Sequence, residues 1–177
     1  LGKGRYRLFS TVFRSGRANA TEFTLVSDPT ATVDGTYDFT WLQAEVFGAA
    51  QVGSFKTDHA VEMYGGFRYV QHKQDLTATG SPATSVTETW VDPVLGVRYF
   101  YELGRRWWTT VNTDIGGFTV GADCSWTLAA ELGFRVARPV DITMRYMYQE
   151  VEYDNGQVGS DLFKWDNGVA QGWFFGL

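Results

Sequence analysis

The strongest constraint on the fold is a strict alternation of apolar and polar side chains in the stretch Cys124–Ala137. One set of alternate positions is wholly apolar: Trp126, Leu128, Ala130, Leu132, Phe134 and Val136. The positions between them are small or polar: Ser125, Thr127, Ala129, Glu131, Gly133 and Arg135. Successive side chains of a β-strand point to opposite faces of a sheet. The stretch therefore predicts a strand that has one apolar face and one polar face.

Alternation of this kind recurs along the chain, and few segments carry the spacing of an amphipathic helix. It predicts eight strands within a single domain of residues 1–177: Arg5–Arg14, Asp38–Ala50, His59–Gln74, Val86–Glu102, Arg106–Ile115, Cys124–Ala137, Asp141–Tyr153 and Leu162–Leu177. Short turns follow the second, fourth and sixth predicted strands, whereas the other connections are mostly longer. The pattern predicts an all-β fold, an eight-stranded antiparallel up-and-down transmembrane β-barrel with short turns at one end.

The composition is compatible with a sheet that crosses a membrane. Aromatic residues make up 16% of the chain, and the mean hydropathy is −0.20. No segment approaches the run of about 18 apolar residues that a transmembrane helix needs. A transmembrane barrel alternates lipid-facing and interior side chains, so its average hydropathy stays low. Aromatic residues near the predicted strand ends are typical of the girdles of such a barrel: Tyr99, Tyr101, Trp107, Trp126 and Trp173.

The polar face of the predicted strands carries charges of both signs. The residues predicted to form a structural charge network in the barrel lumen are Glu62, Arg68, Asp92, Arg98, Asp114, Glu131, Arg135 and Arg145. An eight-stranded barrel is just wide enough for side chains to fill its interior. Arginine suits buried, bidentate pairing with carboxylates. In a soluble barrel the same residues would instead form a solvated surface of mixed charge, with the apolar face turned inward.

The last residues of the chain read as a strand whose apolar side chains share one face. Their order resembles the C-terminal assembly signal of bacterial outer-membrane β-barrels. The positions that carry the resemblance are Gln171, Gly172, Phe175 and Leu177. Leu177 stands where that signal usually has Phe.

Two motifs in the second half of the chain resemble those of a known family. Residues 90–99 read WVDPVLGVRY, and residues 114–126 read DIGGFTVGADCSW. They are similar to the strand W-V/I-D-P-x-x-G-x-R and the hairpin D-I/V-G-G-F-x-V-G-S-D-x-T/S-W of small eight-stranded bacterial outer-membrane β-barrel proteins. The resemblance covers residues 90–177 and departs from the family at Cys124, where a larger apolar residue is usual. It implies a barrel in the outer membrane of a Gram-negative-type bacterium, and it implies no defined chemistry.

Charge and residue usage argue against several other classes of function. The 15 basic and 20 acidic residues are spread along the chain without a basic cluster, so no nucleic-acid partner is expected. The single cysteine, Cys124, excludes an intrachain disulfide framework. His59 and His72 lie on opposite faces of one predicted strand, so no metal site is predicted, and no cofactor is expected. No leader precedes Gly2, so for an exported protein we expect a signal peptide that has already been removed.

The expected function is that of a structural or interaction protein of the outer membrane, not of an enzyme. Its expected partners are outer-membrane lipid, the barrel-assembly machinery during biogenesis, and a protein that binds the lipid-facing side or the loops Ser15–Tyr37 and Leu76–Ser85. Three alternatives remain open. They are a small pore or solute channel, a soluble lipocalin-like ligand binder, and a lipid-modifying hydrolase at the rim built from His72 with Ser81, Ser85 and Glu88.

Overall fold

The computed structural model describes residues 6–25, 28–54, 58–80, 82–138, 140–157 and 163–176, with residues 17–25 and 28–33 described by their backbone alone. The strands are β1 (Tyr6–Leu25), β2 (Asp28–Gly53), β3 (His59–Ala78), β4 (Thr84–Glu102), β5 (Trp107–Gly116), β6 (Cys124–Arg135), β7 (Asp141–Asp154) and β8 (Lys164–Gly176). They form one sheet in which each strand is hydrogen-bonded to its sequence neighbour, in the order β1 to β8. The predicted all-β, eight-stranded, up-and-down arrangement is confirmed. Closure into a barrel would need β1 to pair with β8, and that pairing stays a prediction.

The largest differences from the predicted strands lie in the first half of the chain. The stretch Ser15–Tyr37 is predicted as a polar connection able to extend its flanking strands, and β1 continues to Leu25 while β2 begins at Asp28. The predicted loop Leu76–Ser85 shrinks in the same way, because β3 continues to Ala78. Thr and Val, which favour strands, are frequent here, and a continued hairpin pairs backbone groups that a loop would leave to water. The flanking strands are therefore extended through Ser15–Tyr37, as the sequence suggested, whereas the connection at Leu76–Ser85 is shorter than predicted, because β4 begins at Thr84.

The chain divides into two compact units. Unit 1 comprises Leu1–Ser10, Val46–Arg68 and Val91–Leu177, and unit 2 comprises Thr11–Glu45 and Tyr69–Trp90. Each boundary falls inside one of the strands β1 to β4. The single domain expected from the chain length stays a prediction.

The sheet of unit 1 is strongly curved, as its apolar cluster shows. Phe47, Tyr64 and Val94 are buried together, and Phe9 packs against them. The Phe9 ring also lies 4.3 Å from the Arg98 guanidinium carbon. Phe9 is on β1 and Arg98 is on β4, and three strand spacings of a flat sheet would separate them by about 14 Å. Side chains of the concave face therefore meet across the sheet rather than only between neighbouring strands.

Candidate functional site

The two faces of the sheet have inverted polarity. Large apolar side chains point outward, with Phe67 62% and Leu95 60% exposed, whereas Arg68 is 1% and Asp92 0% exposed. The exposed apolar side chains of β3 to β8 in unit 1 include Met63, Phe67, Val91, Leu95, Val97, Trp107, Val111, Ile115, Leu128, Ile142, Met144, Val169, Trp173 and Phe175. We call this set the apolar face, and we call the side chains on the opposite side of these strands the buried polar face. Charged groups are taken out of water while apolar groups remain accessible.

The centre of the buried polar face is the carboxylate of Asp114 on β5. Arg68 on β3 donates from Nη2 to Asp114 Oδ1 at 2.9 Å. The hydroxyl of Tyr64 donates to Asp114 Oδ2 at 2.8 Å, and Asn112 donates to the same hydroxyl at 3.3 Å. Both carboxylate oxygens thus have a donor, and one of the donors is a cation. A buried charge needs such a combination of pairing and hydrogen bonding to be tolerated.

A glycine lets Tyr64 reach Asp114, which lies two strands away. Gly96 on β4 is between them, since Gly96 pairs with Asp114 in the register of β4 and β5. A Cβ atom at Gly96 would lie 2.6 Å from the Tyr64 hydroxyl oxygen and 2.8 Å from Asp114 Cβ. Any larger side chain at this position would therefore collide with the tyrosine or with the carboxylate it binds. The absence of a side chain at Gly96 is what allows the hydrogen bond to cross β4.

The same arrangement occurs a second time between β5 and β7. Trp108 lies over Gly133 on β6, where an added Cβ atom would be 2.6 Å from the indole nitrogen. The indole nitrogen donates to Asp141 Oδ2 on β7 at 3.1 Å. Asp141 also forms an ion pair with Arg135 at 3.4 Å. Aromatic side chains thus connect alternate strands at both positions.

A second charged cluster surrounds Glu62 on β3. Arg98 donates to Glu62 Oε2 from Nη2 at 2.6 Å and from Nε at 2.9 Å. Arg7 on β1 contributes a second cation, with its Nε 3.1 Å from Glu62 Oε1. The Glu62 side chain is 1% exposed, so two guanidinium groups compensate one carboxylate that water does not reach.

Asp92 is hydrogen-bonded to the connection between β5 and β6. Its carboxylate is fully buried and accepts a hydrogen bond from the Ala122 backbone N–H at 2.7 Å. In that connection Gly117 has φ 89°, and Phe118 and Thr119 also have positive φ. Such conformations persist when surrounding contacts hold them, and the buried carboxylate supplies one of those contacts.

The remaining predicted network residues lie on β6 and β7. Glu131 on β6 faces Arg145 on β7 directly in the register of the two strands. Arg135 is also opposite its partner, Asp141, but both side chains are about one-third exposed. The Arg135 pair is therefore at the solvent edge of the buried polar face, whereas Arg68, Asp92 and Asp114 are within it.

Three residues of the predicted assembly signal lie on β8: Gln171, Gly172 and Phe175. Gln171 accepts a hydrogen bond from the Tyr146 hydroxyl at 3.0 Å, and Trp173 packs against the same tyrosine with ring centroids 5.0 Å apart. Gly172 pairs with Met147 of β7. Phe175 is 77% exposed on the apolar face. Leu177 lies outside the described residues.

Two of the residues considered for a hydrolase, His72 and Ser85, contact other polar side chains in the described part of the chain. His72 is buried against the rings of Phe39 and Trp41, and its Nε2 contacts the Gln74 side-chain amide at 2.7 Å. The pKa of Asp75 is lowered, mainly by a hydrogen bond from Lys73 and to a lesser extent by one from Ser85. The Ser85 side chain is therefore directed to the Asp75 carboxylate. Ser81 lies outside the described residues.

Unit 2 carries a polar row that sequence reasoning did not identify. The Trp41 indole donates to Gln43 at 3.1 Å, and the Gln43 amide donates to Glu45 at 2.8 Å. All three are buried on β2. Their spacing of two residues places them on one face of a strand, and that spacing was the available signal. Arg7 was also missed, because alternation near the start of β1 does not show which face is apolar.

Two other features are absent from the residues that the structure describes. No group of three or more His, Cys, Asp or Glu side chains in this part of the chain is placed to hold a metal ion. Among the same residues, no helix has the length and apolarity required to cross a membrane.

Comparison with known proteins does not identify a family: no protein-family model, no curated protein and no solved structure matches this chain. The resemblance over residues 90–177 therefore stays a prediction.

Proposed function

We propose that this chain is a transmembrane β-barrel of the bacterial outer membrane, with a structural or interaction role. Its apolar face contacts lipid, and its buried polar face fills the lumen. The observation that carries the proposal is the placement of charge. Arg68 and Asp114 are covered by protein, while Phe67 and Leu95 are exposed. A soluble barrel needs the opposite arrangement, because burial of apolar side chains is its main source of stability.

The apolar face is continuous across neighbouring strands, which supports contact with lipid. One row crosses three strands, since Leu95 on β4 pairs with Ile115 on β5, which pairs with Trp126 on β6. A second row runs from Tyr99 through Val111 and onward to β8. Exposed contiguous apolar patches on soluble monomers rarely exceed a few hundred Å². Each large aliphatic side chain left in water forgoes about 1.5–3 kcal/mol of transfer free energy, and a hydrocarbon environment removes this cost.

Closure of the barrel by pairing between β1 and β8 is part of the proposal. A lipid-exposed sheet edge would leave backbone N–H and C=O groups without hydrogen bonds, at a cost of several kcal/mol each. The strand order places β1 and β8 at the two ends of the sheet. Pairing them removes both edges at once.

The motif resemblance supports the same assignment, and so does the polarity of β8. Trp173 and Phe175 are exposed near the end of the last strand, and a transmembrane barrel has girdles of aromatic residues at both membrane interfaces. The proposal assigns no catalytic step and no cofactor to the chain.

The test is fractionation of a Gram-negative-type bacterium that expresses the chain, followed by purification. The protein is expected in the outer-membrane fraction and is expected to require detergent. On a gel, the unheated sample is expected to migrate differently from the boiled one, because a closed barrel resists detergent unfolding. Recovery of folded protein in buffer without detergent, with a single gel position, would contradict the proposal.

A further inference from the structure

An open cavity lies at the short-turn end of unit 1, beside the connection between β4 and β5. Its volume is about 450 Å³, and its lining residues are Asp58, Tyr101, Glu102, Leu103, Gly104 and Arg105. The volume is within the range of about 300–1,000 Å³ that small-molecule sites occupy. An added Cβ atom at Gly104 would meet nothing within 4 Å, so the entrance is open on that side.

Backbone and ring contacts hold the walls of the cavity in place. The Glu102 N–H donates to the Asp58 carbonyl at 2.9 Å, and the Leu103 N–H donates to the Trp107 carbonyl at 2.9 Å. The Tyr101 ring stacks on His59, with ring centroids 4.3 Å apart, and His59 is hydrogen-bonded to the Tyr99 hydroxyl. The acidic and aromatic walls therefore come from the end of β4 and from Asp58, the residue that precedes β3.

The cavity presents charges of both signs. Asp58 and Glu102 contribute carboxylates, and the Asp58 side chain is 39% exposed. Arg105 contributes an exposed guanidinium group. A planar guanidinium fork suits the oxygens of a phosphate group, whereas carboxylates accept hydrogen bonds from a primary ammonium group. The charges are complementary to a ligand that carries one phosphate and one ammonium group.

The neighbouring surface is apolar and aromatic. Leu103 is 51% and Trp107 47% exposed, and Tyr99 is also exposed next to Tyr101. Aromatic side chains of this kind lie at the level of lipid headgroups in membrane proteins. A ligand in the cavity could therefore extend an apolar tail along the apolar face.

We propose that this cavity binds the phosphoethanolamine headgroup of a phospholipid, with the phosphate on Arg105 and the ammonium group between Asp58 and Glu102. The acyl chains then follow the apolar face past Tyr99 and Trp107. This inference rests on the proposed membrane location. It adds a defined lipid class and a defined site to it.

The experiment uses the full chain, folded in detergent micelles and titrated with phosphatidylethanolamine, phosphatidylcholine or phosphatidylglycerol. Native mass spectrometry counts the bound lipids. One phosphatidylethanolamine is expected to bind about tenfold more tightly than either other lipid, since phosphatidylcholine lacks ammonium N–H donors and phosphatidylglycerol lacks the cation. Arg105→Gln and Asp58→Asn are each expected to weaken that binding about tenfold.

Arg138→Gln is the matched control, because Arg138 is an exposed arginine in the neighbouring β6–β7 turn and does not line the cavity. Heat-modifiable migration reports whether each variant is folded, and Glu102→Gln replaces Asp58→Asn if the latter does not fold. Equal binding of the three lipids, or equal binding by Arg105→Gln and Arg138→Gln, overturns the headgroup site while the membrane location stands. A chain that folds in buffer without detergent overturns both.

Discussion

At the scale of single residues, two devices hold the buried polar face together. One is direct compensation of charge, as between Arg68 and Asp114. The other is an aromatic side chain that crosses a glycine to reach a carboxylate two strands away, as Tyr64 crosses Gly96. The first device makes buried charge tolerable, and the second links strands that are not hydrogen-bonded neighbours. Each can be tested separately.

Removal of the central carboxylate is expected to be costly. Asp114→Ala removes the carboxylate that is paired with the buried Arg68 guanidinium, so the free energy of unfolding is expected to fall by about 3–5 kcal/mol. Tyr64→Phe removes one hydrogen bond to Asp114 and is expected to cost about 1–3 kcal/mol. Urea unfolding in detergent micelles, followed by tryptophan fluorescence, measures both. Arg138→Gln is the exposed control, and an Asp114→Ala variant as stable as this control would argue against burial of the charge.

Substitution of Gly96 tests the crossing directly. Gly96→Ala places a methyl group 2.6 Å from the Tyr64 hydroxyl oxygen, and the resulting overpacking is expected to cost about 1–3 kcal/mol. Gly48→Ala is the matched control, because its methyl group would meet only the Gly65 carbonyl oxygen, at 4.0 Å. In the same unfolding measurement, Gly96→Ala is expected to have a lower free energy of unfolding than Gly48→Ala. Equal stability of the two alanine variants would show that Tyr64 does not occupy the space over Gly96.

At the scale of strands, alternation in the sequence predicts which side chains share a face, and it does so best in β4 and β6. The exposed Leu95 and Leu128 and the buried Asp92 and Thr127 lie as the period of two requires. Alternation does not predict contacts that depend on register. Nothing in the sequence shows that Trp108 will lie over Gly133, because this requires knowing which residues of β5 and β6 are paired.

The ends of the strands are not predicted by alternation. β1 and β2 continue through a polar stretch, because hairpin hydrogen bonding can extend a strand without an apolar pattern. Alternation in a sequence marks a strand only where one face of the strand is apolar. The strand ends predicted from alternation therefore fall short where both faces are polar. The same limit applies to Arg7, whose role depends on curvature that brings β1 to Glu62.

An arginine placed on the apolar face distinguishes lipid from water. Leu128 is 47% exposed on β6, so in water Leu128→Arg should be tolerated. In a bilayer the same change is expected to cost about 2–4 kcal/mol near the midplane. Val120→Arg is the control, since Val120 is 74% exposed in the β5–β6 connection. Refolding into lipid vesicles with a urea titration compares the two, and equal stability would place the apolar face of β6 in water.

At the scale of the whole molecule, the buried polar face has a consequence for transport. Charged and aromatic side chains, among them Arg68, Glu62 and Tyr64, occupy the concave side of the sheet in unit 1. In a barrel of eight strands the interior is just wide enough for side chains of this kind. A filled interior therefore favours an anchor or interaction protein over a pore.

Planar bilayer recordings test this consequence. The purified chain is expected to give no steady large conductance, because in the proposed barrel paired charges and aromatic rings would fill the lumen. The double variant Glu62→Ala/Tyr64→Ala, which removes bulk from the same region, is the comparison. A steady large conductance from the unmodified chain would support the small pore instead.

The most direct test of the central claim is the environment of the apolar face. Spin labels at Val97 and Val111, introduced as single cysteines in a Cys124→Ser background, report accessibility to oxygen, which partitions into lipid, and to a water-soluble nickel complex. A label at Val120, in the β5–β6 connection, gives the aqueous reference. We expect high oxygen and low nickel accessibility at Val97 and Val111 in lipid vesicles, with the reverse at Val120. Nickel accessibility at Val97 and Val111 equal to that at Val120 would contradict the claim that this face meets lipid.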